Sequence, residues 1–326
     1  MTLASRLRYY RRILPAYLGA GSSQLTFWHE KPEINPQAIH VQFGPYYMSF
    51  REKADYAGPY DAAGLPMLDY RGSIGPQYNP IAIAQWGLAN CNIFCATNSE
   101  SRRQKTINAA NWLAANLEEN AHGFGVWNHH FDWDYRDTLK APWYSGLAQG
   151  QGVSLLLRAD ALTHDAKYQQ AAGSAFVSLT KPIAEGGALY EDEEQNLWIE
   201  EYLVHPPTHI LNGFMWALWG VFDFWLVRGD PQARQVFDRG VQTLLANLPR
   251  YDTGYWSLYE QSGTRLKMVA SPYYHRLHIV QLRVMATLTG DRRFTEYADR
   301  WEAYARHRGN RTRALIEKSV FKLLHY

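Results

Sequence analysis

Two adjacent carboxylates and a phenol, Glu200, Glu201 and Tyr202, stand in the stretch WIEEYLVHPPTHILNGFMWALW (198–219), just before a proline break and an apolar helix. Ionisable groups at such a junction sit at the rim of a core, where burial shifts their pKa values. A polar loop that only caps the helix would read the same way. Two further tyrosine-rich stretches, 251–259 and 273–278, tip the balance towards a site. A phenol, with an ordinary pKa of about 10, is a poor base. It is a good acid towards a carbanion and a good donor to a developing oxyanion. Phenols with a carboxylate suit proton transfer at a carbon beside a carboxyl group, and C5 of a uronic acid is such a carbon. Adjacent residues on extended backbone point opposite ways. One of Glu200 and Glu201 is therefore expected to face the pocket and the other to be structural. That also disfavours the two as a glycosidase pair, whose carboxyls straddle a bond about 5–9 Å apart.

Other chemistry is thin. The sequence has no serine nucleophile elbow, no phosphate-cradling glycine loop and no zinc-type HExxH. HHFDWD (129–134) carries metal-capable groups at a spacing that fits no specific cage, so it reads as a polar hairpin loop. Neither a metal nor a cofactor is expected. The glycines at 150 and 152 read as a packed helix start. Cys91 and Cys95, four apart in an apparent helix, read as buried thiols of a reducing compartment, hence a cytoplasmic protein.

Composition narrows the partners. A formal net charge of +2 argues against a dedicated nucleic-acid binder. The 12 Trp and 22 Tyr supply flat apolar faces with polar edges, which suit sugar rings, although a Trp-rich helical core would also use them. No run of eighteen apolar residues exists to span a membrane. The basic start, MTLASRLRYYRRILPAYLGAG, is a poor signal peptide. It reads either as a helix lying on an anionic membrane surface or as an arm packed on its own domain.

The elements that must position the phenols follow a repeat. Residues 1–75 read as an arm and a small β-rich segment, in which IHVQFGPYYMSF (39–50) alternates like a strand. From residue 76 to 326 an apolar helix, a second helix and a long aromatic connection recur. The pairs start near Pro80, Gly146, Asn212 and His275, about 65 residues apart. Three turns within pairs share a pattern: THD before Ala166, RGD before Pro231 and TGD before Arg292. Short turns within pairs and long connections between them imply stacked antiparallel hairpins, curving into an α/α toroid of an incomplete or six-hairpin type. All the long connections then emerge at one end. Trp143, Tyr144, Glu201, Tyr202, Tyr259 and Tyr274 should surround one mouth, flanked by the cations Arg265, Lys267 and Arg276.

Six motifs in order, YNPIAIAQWGL (78–88), PWYSGLAQGQ (142–151), WIEEY (198–202), LNGFM (211–215), the stretch 251–259 and YHRLHIVQ (274–281), resemble the D-glucuronyl C5-epimerases. The resemblance covers roughly residues 40 to 305. It implies an α/α-toroid catalytic domain that turns glucuronate into iduronate in heparosan-type polysaccharides, often as a homodimer. By position it implies that Glu201, Tyr202, Tyr259 and Tyr274 are catalytic and that Trp143, Tyr144, Ser145 and Asn212 contact substrate. Tyr78, Gln149, Trp216 and His275, in or beside these motifs, complete the expected contacts with Lys267 and Arg276. Leu203 stands where the family continues Glu-Glu-Tyr-Pro, and Ser262 where an arginine commonly follows the Tyr259 position by three. A polysaccharide lyase would make the same carbanion. A glycoside hydrolase would need a second carboxylate, such as Asp132, Asp134 or Glu193. A non-catalytic sugar-binding protein would use the aromatic cleft alone.

Overall fold

The computed structural model of the chain describes residues 27–38, 42–135 and 138–325. The basic N-terminal stretch lies outside them. Four helical hairpins form the body: α1 (Pro80–Thr97) with α2 (Glu100–Ala115), α3 (Gly146–Thr163) with α4 (Ala166–Val177), α5 (Leu211–Arg228) with α6 (Pro231–Tyr251), and α7 (Pro272–Thr289) with α8 (Arg292–Arg306). A short helical turn at Arg51–Ala54 precedes the hairpins, and a further helix, α9 (Arg308–His325), follows them. Among the described residues this is a mainly α, incomplete α/α toroid. The third and fourth pairs start at Leu211 and Pro272, slightly ahead of the expected Asn212 and His275.

The repeat has a local cause. Each inner helix ends on a residue in the left-handed region, Asn98, His164, Gly229 or Gly290. This is a common way to stop a helix. In three of the turns the next residue is an aspartate, and Asp165, Asp230 and Asp291 cap the outer helix by accepting a backbone N–H. Inner helices are buried over most of their length. Outer helices bury one stripe, as with Phe294, Ala298 and Trp301 of α8. α1 packs on α3, α3 on α5 and α5 on α7. The α3–α5 approach depends on glycine: a Cβ on Gly150 would stand 2.6 Å from the Ala217 Cα, and one on Gly220 would stand 2.2 Å from the Gly150 carbonyl oxygen. The stretch at 150–152 is thus packed helix, as its sequence suggests.

Strands are few and short. β1 (Leu68–Asp69) pairs with β2 (Pro76–Gln77), β3 (Glu118–Glu119) with β4 (Gly125–Val126), β5 (Trp133–Asp134) with β6 (Thr138–Leu139), and β7 (Leu189–Glu191) with β8 (Leu197–Ile199), all antiparallel. The last three lie in the long connections, and the β5–β6 hairpin holds the end of HHFDWD. Among the described residues before residue 76, strand pairing is limited to β1, which pairs forward with β2, and to isolated bridges. Of the stretch 39–50, the described residues 42–50 form no strand beyond the isolated bridge of Met48 to Ile34. Tyr46, Tyr47, Met48 and Phe50 are all buried. The stretch docks on side chains: the Tyr46 N–H donates to Asn92 Oδ1 at 2.7 Å, and Asn92 Nδ2 donates to the Met48 carbonyl at 2.8 Å. Of the two cysteines, only Cys91 is buried and Cys95 is exposed. No described helix is long and apolar enough to cross a membrane.

Candidate active site

Three of the four inner helices are capped at their N-termini by their own preceding side chains. Asn79, Ser145 and Ser271 accept N–H groups of α1, α3 and α7. α5 begins after Ile210, which has no capping side chain. Its first N–H, that of Leu211, goes to the Tyr259 carbonyl at 3.1 Å. Glu201 lies against this first turn. Gly213 makes the approach possible, because a Cβ there would stand 2.2 Å from Glu201 Oε2.

The two adjacent carboxylates divide their work. Glu200 is fully buried, with Oε1 2.5 Å from His209 Nδ1 and Oε2 accepting the His209 N–H at 3.1 Å. His209 in turn stacks on Trp198 at 4.2 Å. Glu200 therefore fixes the loop ahead of α5. Glu201 is only 6% exposed, and its Oε2 has no hydrogen-bond partner. Burial, reinforced by Glu260 and Glu200, pushes its carboxyl up to about 8, against the pull of a hydrogen bond from Tyr202. A carboxyl so raised keeps its proton near neutral pH and is a stronger base than usual once it is lost.

Phenols surround it. The Tyr259 and Tyr274 rings meet edge to face with centroids 4.8 Å apart. Tyr259 is buried, and desolvation, with Glu201 and Tyr274 next in weight, holds its hydroxyl well above the ordinary phenol range. It is therefore a neutral hydrogen-bond donor. Tyr202 packs on Tyr135 at 4.5 Å and on Trp143 at 5.8 Å. Trp143 is stacked on His129 at 3.9 Å. Asn212, one residue before Gly213, is buried with its Oδ1 unpartnered. Unpartnered buried oxygens on Glu201 and Asn212 mark a place built for polar groups from outside the chain.

The remaining expected contacts fall in different surroundings. Tyr144 is half-buried and donates to the Gly186 carbonyl at 2.6 Å, while Ser145 caps α3. Trp216 is buried near Phe50, with its Nε1 unpartnered. Lys267 and Arg276 are exposed. Tyr78 rests on Trp112 of the outer helix α2 and donates to Asp61 at 2.8 Å. Gln149 and His275 correct the expectation of substrate contact. Gln149 accepts the Trp127 N–H at 2.9 Å and donates to Ser178 Oγ at 2.9 Å. His275 bonds Ser257 Oγ at 2.8 Å and the Trp301 carbonyl at 2.9 Å, and stacks on Trp256 at 3.7 Å. Both are core residues with their polar atoms engaged inside the protein.

Sequence reasoning missed three buried groups. Glu260 accepts a hydrogen bond from the Tyr135 hydroxyl and acts on Glu201 electrostatically. Its position next to Tyr259 was the available signal. The third, Lys318, comes from α9 and lies over the Tyr259 ring, with Nζ 5.1 Å from its centroid. No motif pointed to it. Asp132, paired with Lys140, and the exposed Glu193 lie in solvent-facing positions.

Residues 121–303 match the family model described as the C-terminus of D-glucuronyl C5-epimerase. The D-glucuronyl C5-epimerase of Caenorhabditis elegans is 31% identical over 212 residues, which cover 60% of this chain and 34% of that protein. An uncharacterised protein of Methanocaldococcus jannaschii is 29% identical over 199 residues, 60% of this chain and 63% of its own length. The chain thus spans about a third of the first relative and under two thirds of the second. Among solved structures, a cellobiose 2-epimerase from Spirochaeta thermophila superposes with a TM-score of 0.53 at 14% identity, over 93% of this chain and 86% of that one. That likeness is one of fold alone.

Proposed function

Because the chain belongs to the D-glucuronyl C5-epimerase family, we propose that it inverts C5 of glucuronate to give iduronate within a heparosan-like acidic polysaccharide. One observation carries this reading: a buried Glu201, with one carboxyl oxygen lacking a partner, set among the phenols of Tyr202, Tyr259 and Tyr274. The C5 hydrogen of a uronate is weakly acidic while its carboxylate keeps a full charge. Removing it puts a second charge on the carboxylate oxygens, so donors aimed there lower the barrier. Tyr259, kept neutral by its buried position, donates to one of those oxygens, and Tyr202 donates to the other.

Glu201 and Tyr274 exchange the proton from opposite faces. The Glu201 carboxylate takes the C5 hydrogen as a proton and leaves its electron pair in the enediolate. The Tyr274 hydroxyl then returns a proton to the other face and recovers its own from solvent, to which Glu201 releases the proton it took. The carboxyl of Glu201, raised to about 8, is a base better matched to a carbon acid than an ordinary carboxylate. Both half-reactions move protons only, so the sequence balances without an oxidant or reductant.

The test is incubation with desulfated, N-acetylated and N-sulfated heparosan in deuterated water, read at C5 by NMR. Deuterium uptake at C5 with the chain intact is the expected result. Ultraviolet absorbance of a new double bond would replace this reading with a lyase. New reducing ends without unsaturation would replace it with a hydrolase. Binding with neither exchange nor cleavage would leave a sugar-binding protein.

A further inference from the structure

α9 stands outside the run of helical hairpins, and it begins beyond residue 303, where the family match ends. The helix is held to the loop that carries Tyr259. The Tyr255 hydroxyl donates to Glu317, and the Arg313 guanidinium lies 3.7 Å from the centre of the Tyr255 ring. Ala314, Lys318 and Phe321, at helical spacing i, i+4 and i+7, form the face that α9 buries. Alanine and phenylalanine are ordinary there. A lysine is not, because lysine is almost never buried without a partner.

Lys318 is 8% exposed. Among the described residues it makes no hydrogen bond and no ion pair, and its one contact of note is with the Tyr259 ring. Glu260 attracts it from a distance, Lys322 repels it, and His278 feels its charge. A lysine kept to neutralise Glu260 would close to ion-pair distance, and the Glu260 carboxylate is engaged by the Tyr135 hydroxyl instead. The loop's own cations cannot fill the role. Arg265 and Lys267 are exposed, and position 262 is a serine. Lys318 is therefore the buried cation beside the phenol pair of Tyr259 and Tyr274.

We propose that Lys318 binds the carboxylate of the substrate's uronate ring, so that α9 supplies the site's substrate-binding cation from outside the hairpin repeat. This rests on the proposed proton transfer at C5. An ammonium beside Tyr259 offsets the charge that collects on the carboxylate oxygens as C5 loses its proton. It also distinguishes a uronate from a neutral hexose in a cleft whose aromatic walls would accept either. Burial draws Lys318 down to about 7, so an arriving carboxylate pulls a proton onto it.

The experiment compares the wild-type chain with Lys318→Met and Lys318→Arg. Calorimetry reads affinity for a glucuronate-containing oligosaccharide and for the same oligosaccharide with its carboxyls reduced to alcohols. The wild type should prefer the uronate by about 30-fold or more, as for a buried charge pair. Lys318→Met should lose that preference while keeping its affinity for the reduced sugar. Lys318→Arg should keep most of the preference and, being always charged, reduce the proton uptake seen when binding is measured in buffers of different ionisation heat. The arginine variant and the wild-type proton uptake keep the test informative if the methionine variant fails to fold. A methionine variant with its preference intact overturns the proposal, and so does a wild type that binds both sugars equally. C5 exchange read on the same samples separates the two claims. No exchange by a wild type that prefers uronate in a Lys318-dependent way would sink the epimerase reading alone.

Discussion

At the C-terminal ends of the inner helices, Arg158 of α3 and Asp223 of α5 are both buried and meet at 2.6 Å, and the Tyr47 hydroxyl adds a bond to Asp223 at 2.7 Å. They share one register with Asn92 of α1, each twelve residues past the start of its helix. Together the three side chains receive the stretch 46–48 and close that end of the ring. At the N-terminal ends of the same helices, Glu201 is just as withdrawn from water, yet one of its oxygens has no partner. The same scaffold therefore buries ionisable groups at both ends, with both Asp223 carboxyl oxygens engaged at one and a Glu201 oxygen left without a partner at the other. A buried pair orients an element, and losing one partner leaves the other stranded. An unsatisfied buried acid costs stability, and its retention points to chemistry.

Substitutions can break this contrast, beginning with the strongest. Glu201→Gln should lower C5 exchange by about 10²–10⁴-fold, the range for a general acid or base. It should do so without unfolding the chain. The sign of its stability effect is fixed by the raised carboxyl. Below the ordinary range near 4.5 the group is protonated whether folded or unfolded and contributes nothing. As pH climbs from there through about 8, only the unfolded chain ionises freely, so the wild type loses stability that the glutamine variant keeps. Urea unfolding at pH 4 and pH 8 should show equal stabilities at the first and a more stable variant at the second, by about 2–5 kcal/mol.

Arg158→Met should act in the opposite way, costing about 3–5 kcal/mol by leaving Asp223 buried alone. The exchange rate per folded molecule should stay near that of the wild type. A large loss of activity with unchanged stability would mean that the closed end is coupled to the mouth. Gly213→Ala tests the close approach at the open end. Its new Cβ would meet Glu201 Oε2 at 2.2 Å, and the carboxylate must move. Exchange should fall about 10- to 100-fold, with a stability cost of about 1–3 kcal/mol. The smallest effect belongs to Tyr47→Phe, which removes one bond to an Asp223 that keeps Arg158. The expected loss is about 1.5 kcal/mol in urea unfolding, with exchange unaffected.

Much of the fold was legible because its signals are local. The turns at 163–165, 228–230 and 289–291 announce themselves through a helix-ending residue followed by a capping aspartate. The site was legible in part. Glu201, Tyr202, Tyr259 and Tyr274 stand beside the starts of inner helices, where a repeat brings loops together. Gln149 and His275 occupy the same starts but point into the core. Which way a helical residue faces depends on where each turn begins, and the fourth pair begins earlier than its pattern suggested. The stretch 39–50 misled because alternation of side chains does not by itself require a sheet: its described residues 42–50 dock through Asn92 instead.

The sequence by itself determined the pairing of helices, the single end at which the long connections emerge and the acid and phenols found there, because caps, turn residues and apolar periodicity act over a few residues. Only the tertiary structure decided which of the two adjacent glutamates keeps an oxygen without a partner, that Glu260 lies near it, and that a lysine from the last helix covers Tyr259. Those facts depend on contacts between residues far apart in the chain, where nothing local constrains the partner and close packing alone selects it.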